Sequence, residues 1–171
     1  MFALTIATLV VYAFAQSAKD AESIDAIIHS VYDVISGPAG KERDWERMRS
    51  LFVPDARLIA VGKRAGGEVV RRSMTVDEYI ETSGPVLKER GFFEKEIARR
   101  TEHYGNISHA FSTYEARSKA EDEKPFMRGI NSFQLYNDGK RWWVVTIYWQ
   151  AEDASTPLPK KYLKDRPLPS E

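Results

Sequence analysis

Cysteine is absent from this 171-residue chain. Its absence excludes disulfides, thiolate nucleophiles and cysteine-ligated zinc or iron–sulfur centres together. Histidine is scarce: the three present are too few for a histidine-rich metal site, and no cofactor is expected. An excess of either charge is missing too. The 25 Lys and Arg balance the 25 Asp and Glu, which argues against nucleic-acid binding driven by phosphate neutralisation. No apolar run reaches the ~20 residues that a membrane span needs. What is there is a neutral chain, 43% hydrophobic and 12% aromatic, long enough for one domain with a real core and too short for two.

Residues 1–15, MFALTIATLVVYAFA, carry no charge and end in Ala13-Phe14-Ala15, the small-x-small pattern of a signal-peptidase site. No Lys or Arg precedes the apolar run. The segment reads as a signal peptide, with Gln16 opening a mature chain that is secreted or periplasmic and leaves the membrane on cleavage. The alternative is an uncleaved apolar arm or a misassigned start codon. Residues 16–152 read as the folded domain. Residues 153–171 hold four of the eight prolines and almost no periodicity, and read as an extended tail.

Within the domain, Asp20 to Ser36 places Ile24, Ile27, Ile28, Val31, Val34 and Ile35 on one helical stripe, with Asp20 as N-cap and Gly37-Pro38 as the stop. A short helix is predicted over Arg43 to Phe52, ended by Val53-Pro54. Short strands follow at Ala56 to Val61 and Glu68 to Arg72. Thr75-Val76-Asp77-Glu78 has the form of a capping box and starts a third helix, which Gly84-Pro85 breaks or kinks. From Phe92 the period becomes two. Four long strands are predicted at Phe92–Tyr104, Ile107–Ser118, Phe126–Tyr136 and Lys140–Ala151, joined by hairpin connections. Helices followed by hairpin-linked strands give an α+β fold with an antiparallel sheet.

Strict alternation sorts the sheet faces. With Gly105-Asn106 as a two-residue turn, Glu94, Glu96, Arg100, Glu102, His109, Glu115 and Arg117 share one face. Ile97, Arg99, Thr101, His103, Ser108, Ala110, Ser112 and Tyr114 share the other, which is the better pocket wall. His103 and His109 then point to opposite faces and cannot share a metal, and His109 reads as a charge partner of Glu102. For the last hairpin two registers stand open. One puts Asn131 and Phe133 with Trp142, Val144, Thr146 and Tyr148. The other puts them with Trp143, Val145, Ile147 and Trp149. The last strand is apolar on both sides, which predicts that both sheet faces are covered, one by helices and the other by a partner subunit or the tail.

The order of these elements, with Leu51-Phe52-Val53-Pro54-Asp55-Ala56, Tyr104-Gly105-Asn106-Ile107, Ser112-Thr113-Tyr114-Glu115, Arg128-Gly129-Ile130-Asn131-Ser132-Phe133 and Asp138-Gly139-Lys140-Arg141-Trp142-Trp143, resembles the nuclear transport factor 2-like superfamily, and within it the SnoaL-like bacterial proteins. The resemblance covers about residues 20–152. It implies a cone, a curved sheet closed by three helices around an apolar pocket. In the ketosteroid isomerase branch a helix Tyr and a protonated strand Asp serve as oxyanion donors beside an Asp base. By resemblance Tyr32 and Asn131 take the donor positions, and the base position falls on Ala60, which cannot accept a proton. The resemblance also favours the register that turns Tyr148 inward.

Two functions follow. The first is an exported pocket protein for a small, mostly apolar molecule, with Tyr32, His103, Tyr114, Asn131 and Tyr148 as the ligand-binding polar groups. The second is a cofactor-free isomerase, dehydratase or hydrolase in the same pocket, with His103 as its near-neutral titrator. The apolar last strand further predicts a homodimer through the outer sheet face.

Overall fold

The computed structural model describes residues 19–164. The signal-peptide reading of residues 1–15, the start at Gln16 and the end of the tail lie outside the described residues. Helix α1 spans Ile24–Ile35, α2 Trp45–Ser50 and α3 Val76–Arg90. The strands are β1 Phe52–Lys63, β2 Val69–Met74, β3 Phe93–Tyr104, β4 Ile107–Arg117, β5 Met127–Asn137 and β6 Trp142–Ala151. They form one six-stranded sheet in the order β2-β1-β6-β5-β4-β3. β1 runs parallel to β6 while every other neighbour is antiparallel. The fold is α+β, and the sheet is mixed rather than antiparallel, because the first strand inserts beside the last.

Local chemistry sets the helix ends. Ser23, not Asp20, caps α1 by accepting from the Ala26 amide at 3.0 Å. Asp20 is instead buried, accepting from Ser30 Oγ at 3.1 Å and pairing with Arg47 at 2.8 Å. The capping box of Thr75 and Glu78 forms in both directions. Pro85 lies inside α3 without ending it. Pro54 lies inside β1 rather than closing a helix, at a register shift between Phe52 and Arg57 where the ladder to β6 needs no amide from it.

The core lies between one sheet face and the helices. α1 packs on β3 and β6, and α3 packs on β1 and β2. Ile27, Ile28, Phe133 and Val144 are fully buried there. Arg43, itself buried, ties this layer together. Its guanidinium donates to the carbonyls of Ile35 at 3.0 Å, Gly37 at 2.6 Å, Lys41 at 2.6 Å and Leu87 at 3.1 Å. Gly91 ends α3 with φ +71, where a Cβ would stand 2.7 Å from the Ser118 carbonyl oxygen; only glycine fits both demands. The opposite sheet face carries the tail. Thr113 Oγ1 donates to the Tyr162 carbonyl at 2.6 Å, and the Tyr162 ring meets Phe111 edge-on at 5.1 Å.

Two departures from strict alternation govern the site. The β3–β4 hairpin has the expected turn register, with Tyr104 opposite Ile107 and Glu102 opposite His109, but the register shifts between Glu96 and Ala98, leaving Ile97 as a bulge. The last hairpin follows neither expected register throughout. Asp138 accepts the Lys140 and Arg141 amides at 2.8 and 2.9 Å, making a loop longer than two residues, and a second bulge falls at Val145. Trp142 and Val144 therefore share the inner face with Ile147 and Trp149.

Candidate functional site

Under the helix layer lies a cavity of about 510 Å³. Its walls are apolar: Val31 and Ile35 from α1, Leu87 from α3, and Phe133, Ile147 and Trp149 from the sheet. At one end three polar side chains meet on neighbouring strands. Glu94 on β3, Tyr114 on β4 and Asn131 on β5 all line this cavity. Glu96 pairs with Tyr114, Ser112 pairs with Asn131, and Tyr114 pairs with Gly129. The three groups are thus diagonal neighbours on one face, where long side chains reach each other.

Glu94 is here because of the Ile97 bulge. Strict alternation puts Glu94 and Glu96 on the outer face. The extra residue turns both inward, opposite Ala116 and Tyr114. The end of α1 then fixes Glu94: Ser36 Oγ accepts from the Glu94 amide at 3.0 Å and donates to the Tyr32 carbonyl at 2.7 Å. The half-buried carboxyl accepts one hydrogen bond, from Asn131 Nδ2 at 3.1 Å. Burial among apolar walls raises its pKa to about 7, and the Asn131 hydrogen bond opposes the rise only in part. Burial, reinforced by the Glu94 charge, also raises the Tyr114 and Tyr32 hydroxyls above their ordinary range.

Behind Asn131 a polar chain runs toward the surface. Asn131 Nδ2 also donates to Tyr32 Oη at 3.1 Å. Tyr32 Oη and Ser112 Oγ are 2.7 Å apart, and Ser112 Oγ donates to Glu96 Oε1. Arg99 completes the chain, pairing with Glu96 at 3.1 Å and with Asp25 of α1 at 2.7 Å. Arg99 is therefore neutralised within the fold.

Of the residues predicted from sequence, Tyr32, Tyr114 and Asn131 come together, with Tyr32 one hydrogen bond behind the cavity surface. His103 does not join them. It is on the inner face but exposed, packed edge-on against Trp142 with ring centres 5.6 Å apart. Tyr148 does not join them either. The Val145 bulge leaves it opposite Ser132 on the outer face, 47% exposed. His109 meets Ser132 Oγ at 3.0 Å instead of pairing with Glu102. Ala60 pairs with Trp149, which pairs with Asn131, so Ala60 and Asn131 do share a face. Glu94 is the cavity-lining carboxyl that alternation missed. Among the described residues, no three His, Asp or Glu side chains gather to hold a metal.

The sequence matches no family model and no curated relative. Solved structures do match in fold. An uncharacterized protein with a cystatin-like fold from Caulobacter vibrioides is 12% identical with a TM-score of 0.55, over 78% of this chain and 90% of its own. A nuclear transport factor 2-like protein of unknown function from Silicibacter pomeroyi is 15% identical with a TM-score of 0.51, over 77% of this chain and 94% of its own. The six-stranded sheet, the helix layer on one face and these structural likenesses together give the chain the nuclear transport factor 2-like fold.

Proposed function

We propose that this chain is a pocket protein of the SnoaL-like kind, its curved sheet and helices forming a cone that binds a small, mostly apolar molecule bearing one polar group. One observation carries the reading: a 510 Å³ apolar cavity with Glu94, Tyr114 and Asn131 grouped at one end. Sites for small molecules have this composition, apolar walls with a few placed polar groups that fix orientation. Calorimetric titration with cyclooctanol, cyclooctanone and cyclooctylamine tests it. Saturable binding of at least one, weakened by Leu87→Trp filling the cavity, is the expected result. Binding by none overturns the reading.

The near-neutral Glu94 carboxyl favours a second activity in the same pocket, cofactor-free proton transfer with Glu94 as acid or base. A group of this pKa is present in both protonation states near pH 7, the condition under which general acid–base catalysis is most effective. Deuterium exchange into cyclooctanone followed by NMR tests it: wild type should exchange faster than Glu94→Gln, and equal rates remove the activity. Export and a homodimer through the outer sheet face belong to the same proposal. The exposed side chains of Tyr136, Val145 and Tyr148 on that face support the dimer.

A further inference from the structure

The hydrogens in the polar chain can be counted, and the count restricts what the cavity accepts. Ser112 has one hydroxyl hydrogen, and it goes to Glu96. Tyr32 is 2.7 Å from Ser112 Oγ, so the Tyr32 hydrogen is the one in that bond. Tyr32 Oη is left as an acceptor, and Asn131 Nδ2 supplies it. The second Nδ2 hydrogen goes to Glu94 Oε1. An amide facing an ionised carboxylate must present its nitrogen, so the Glu94 charge fixes the same orientation from the other side. Every donor of Tyr32, Ser112 and Asn131 is therefore committed inside the protein.

Besides the Tyr79, Thr82, Ser83 and exposed Arg90 side chains that also line the cavity, what faces it is the remainder. Asn131 Oδ1, Glu94 Oε2 and Tyr114 Oη take no hydrogen bond from any described residue. No buried side-chain oxygen or nitrogen among the described residues lacks a partner, so these three atoms touch open space. Two of them only accept when Glu94 is ionised. The third is a hydroxyl that donates or accepts.

We propose that the polar end of this cavity selects a hydrogen-bond-donating head group, an alkyl ammonium above all, over a carbonyl. This rests on the pocket reading above and names its ligand class. An ammonium offers three hydrogens, enough for Glu94 Oε2, Asn131 Oδ1 and Tyr114 Oη together, and its charge meets a half-buried carboxylate, where the attraction is stronger than in water. A ketone offers none and leaves both acceptors unpaired, and a site whose buried polar groups go unpaired discriminates strongly. The family resemblance points the other way, since it assigns Tyr32 and Asn131 as donors to an oxyanion. The hydrogen count in this chain leaves neither free to act so.

The experiment is the calorimetric series on the full chain at pH 8, comparing cyclooctylamine, cyclooctanol and cyclooctanone, which share one apolar body. The amine should bind at least about tenfold more tightly than the ketone, with the alcohol between them. The preference should shrink at pH 5, and in Glu94→Gln and Asn131→Leu, each first shown by circular dichroism to keep the fold. Equal or tighter ketone binding overturns the inference and leaves the pocket reading standing. An amine preference untouched by both substitutions also overturns it, since the amine would then be held elsewhere. Binding by none of the three sinks the pocket reading itself.

Discussion

Glu94 and Asn131 lie 3.1 Å apart, carboxyl to amide, although they stand on β3 and β5 with β4 between them. The contact reaches across a strand because both side chains rise from the same face and lean together across β4. It joins the one near-neutral carboxyl of the cavity to the chain of hydroxyls that ends at Glu96.

The Glu94 carboxyl makes stability depend on pH. Its pKa is about 7 in the fold against an ordinary 4.5. The fold therefore favours the protonated form. The contribution is fully present below pH 4.5 and is lost as pH rises through 7, and it amounts to about 3 kcal/mol. Glu94→Gln has no such loss. Urea denaturation should show the variant gaining about 3 kcal/mol on wild type between pH 4 and pH 8. A constant difference across that range would contradict the placement of Glu94.

Gly129 supports the site from below. A Cβ there would stand 2.6 Å from Tyr114 Oη and 2.8 Å from the Ala151 Cα. Gly129→Ala should cost about 1–3 kcal/mol by overpacking and move Tyr114, so that chemical denaturation and amine affinity both fall. Unchanged stability would mean that β5 and β6 have more room than the structure gives them.

Arg43 is the joint between helices and cavity wall. Its four short bonds to backbone carbonyls span Ile35 to Leu87. A lysine ammonium is a point donor and cannot span that fork. Arg43→Lys should destabilise by about 2–4 kcal/mol by leaving carbonyls unpaired, read as a lower denaturation midpoint. A midpoint equal to wild type would show that water replaces the guanidinium.

Trp149 and Tyr148 are adjacent in sequence and opposite in role. Trp149 lines the cavity and meets Tyr79 edge-on at 6.4 Å, whereas Tyr148 faces outward. Trp149→Ala should weaken cyclooctylamine binding several-fold, and Tyr148→Ala should leave it unchanged. The reverse result would put the Val145 bulge in the wrong place.

The outer face gives a prediction about assembly. The tail covers Phe111 through Tyr162 and leaves Tyr148 and Tyr136 exposed. A stable dimer needs about 1,000 Å² of buried surface or more. Removing residues 153–171 should raise the dimer fraction seen by light scattering. A strictly monomeric mass at tens of micromolar would rule out association through this face.

The ends of β3 to β6, the capping box and the turn at Gly105-Asn106 were legible because local chemistry decides them, whereas β1 begins four residues before the expected Ala56. The α+β class followed from the change of period at Phe92. Two things were not legible. The Ile97 and Val145 bulges each insert one residue, which inverts every side chain beyond it; a rule of period two then put Glu94 outside, and the register that the resemblance favoured put Tyr148 inside. Bulges follow from twist and from the packing of the whole sheet, so neither run of residues announces one. The parallel partnership of β1 and β6 was hidden for a similar reason. It joins segments almost a domain apart, and no local signal marks the pairing.

That partnership also orders events during synthesis. β6 sits between β1 and β5, and Leu58 waits for Ile147 as its neighbour. β3, β4, β5 and β6 can zip as successive hairpins, each beside the one before it. β1 and β2 emerge first and cannot complete their pairing until β6 is made. At roughly 5–20 residues per second on the ribosome, the early hairpin stays without its partner strand for several seconds. A nascent chain of this protein should therefore resist proteolysis in its first half only once Trp142–Ala151 has left the exit tunnel.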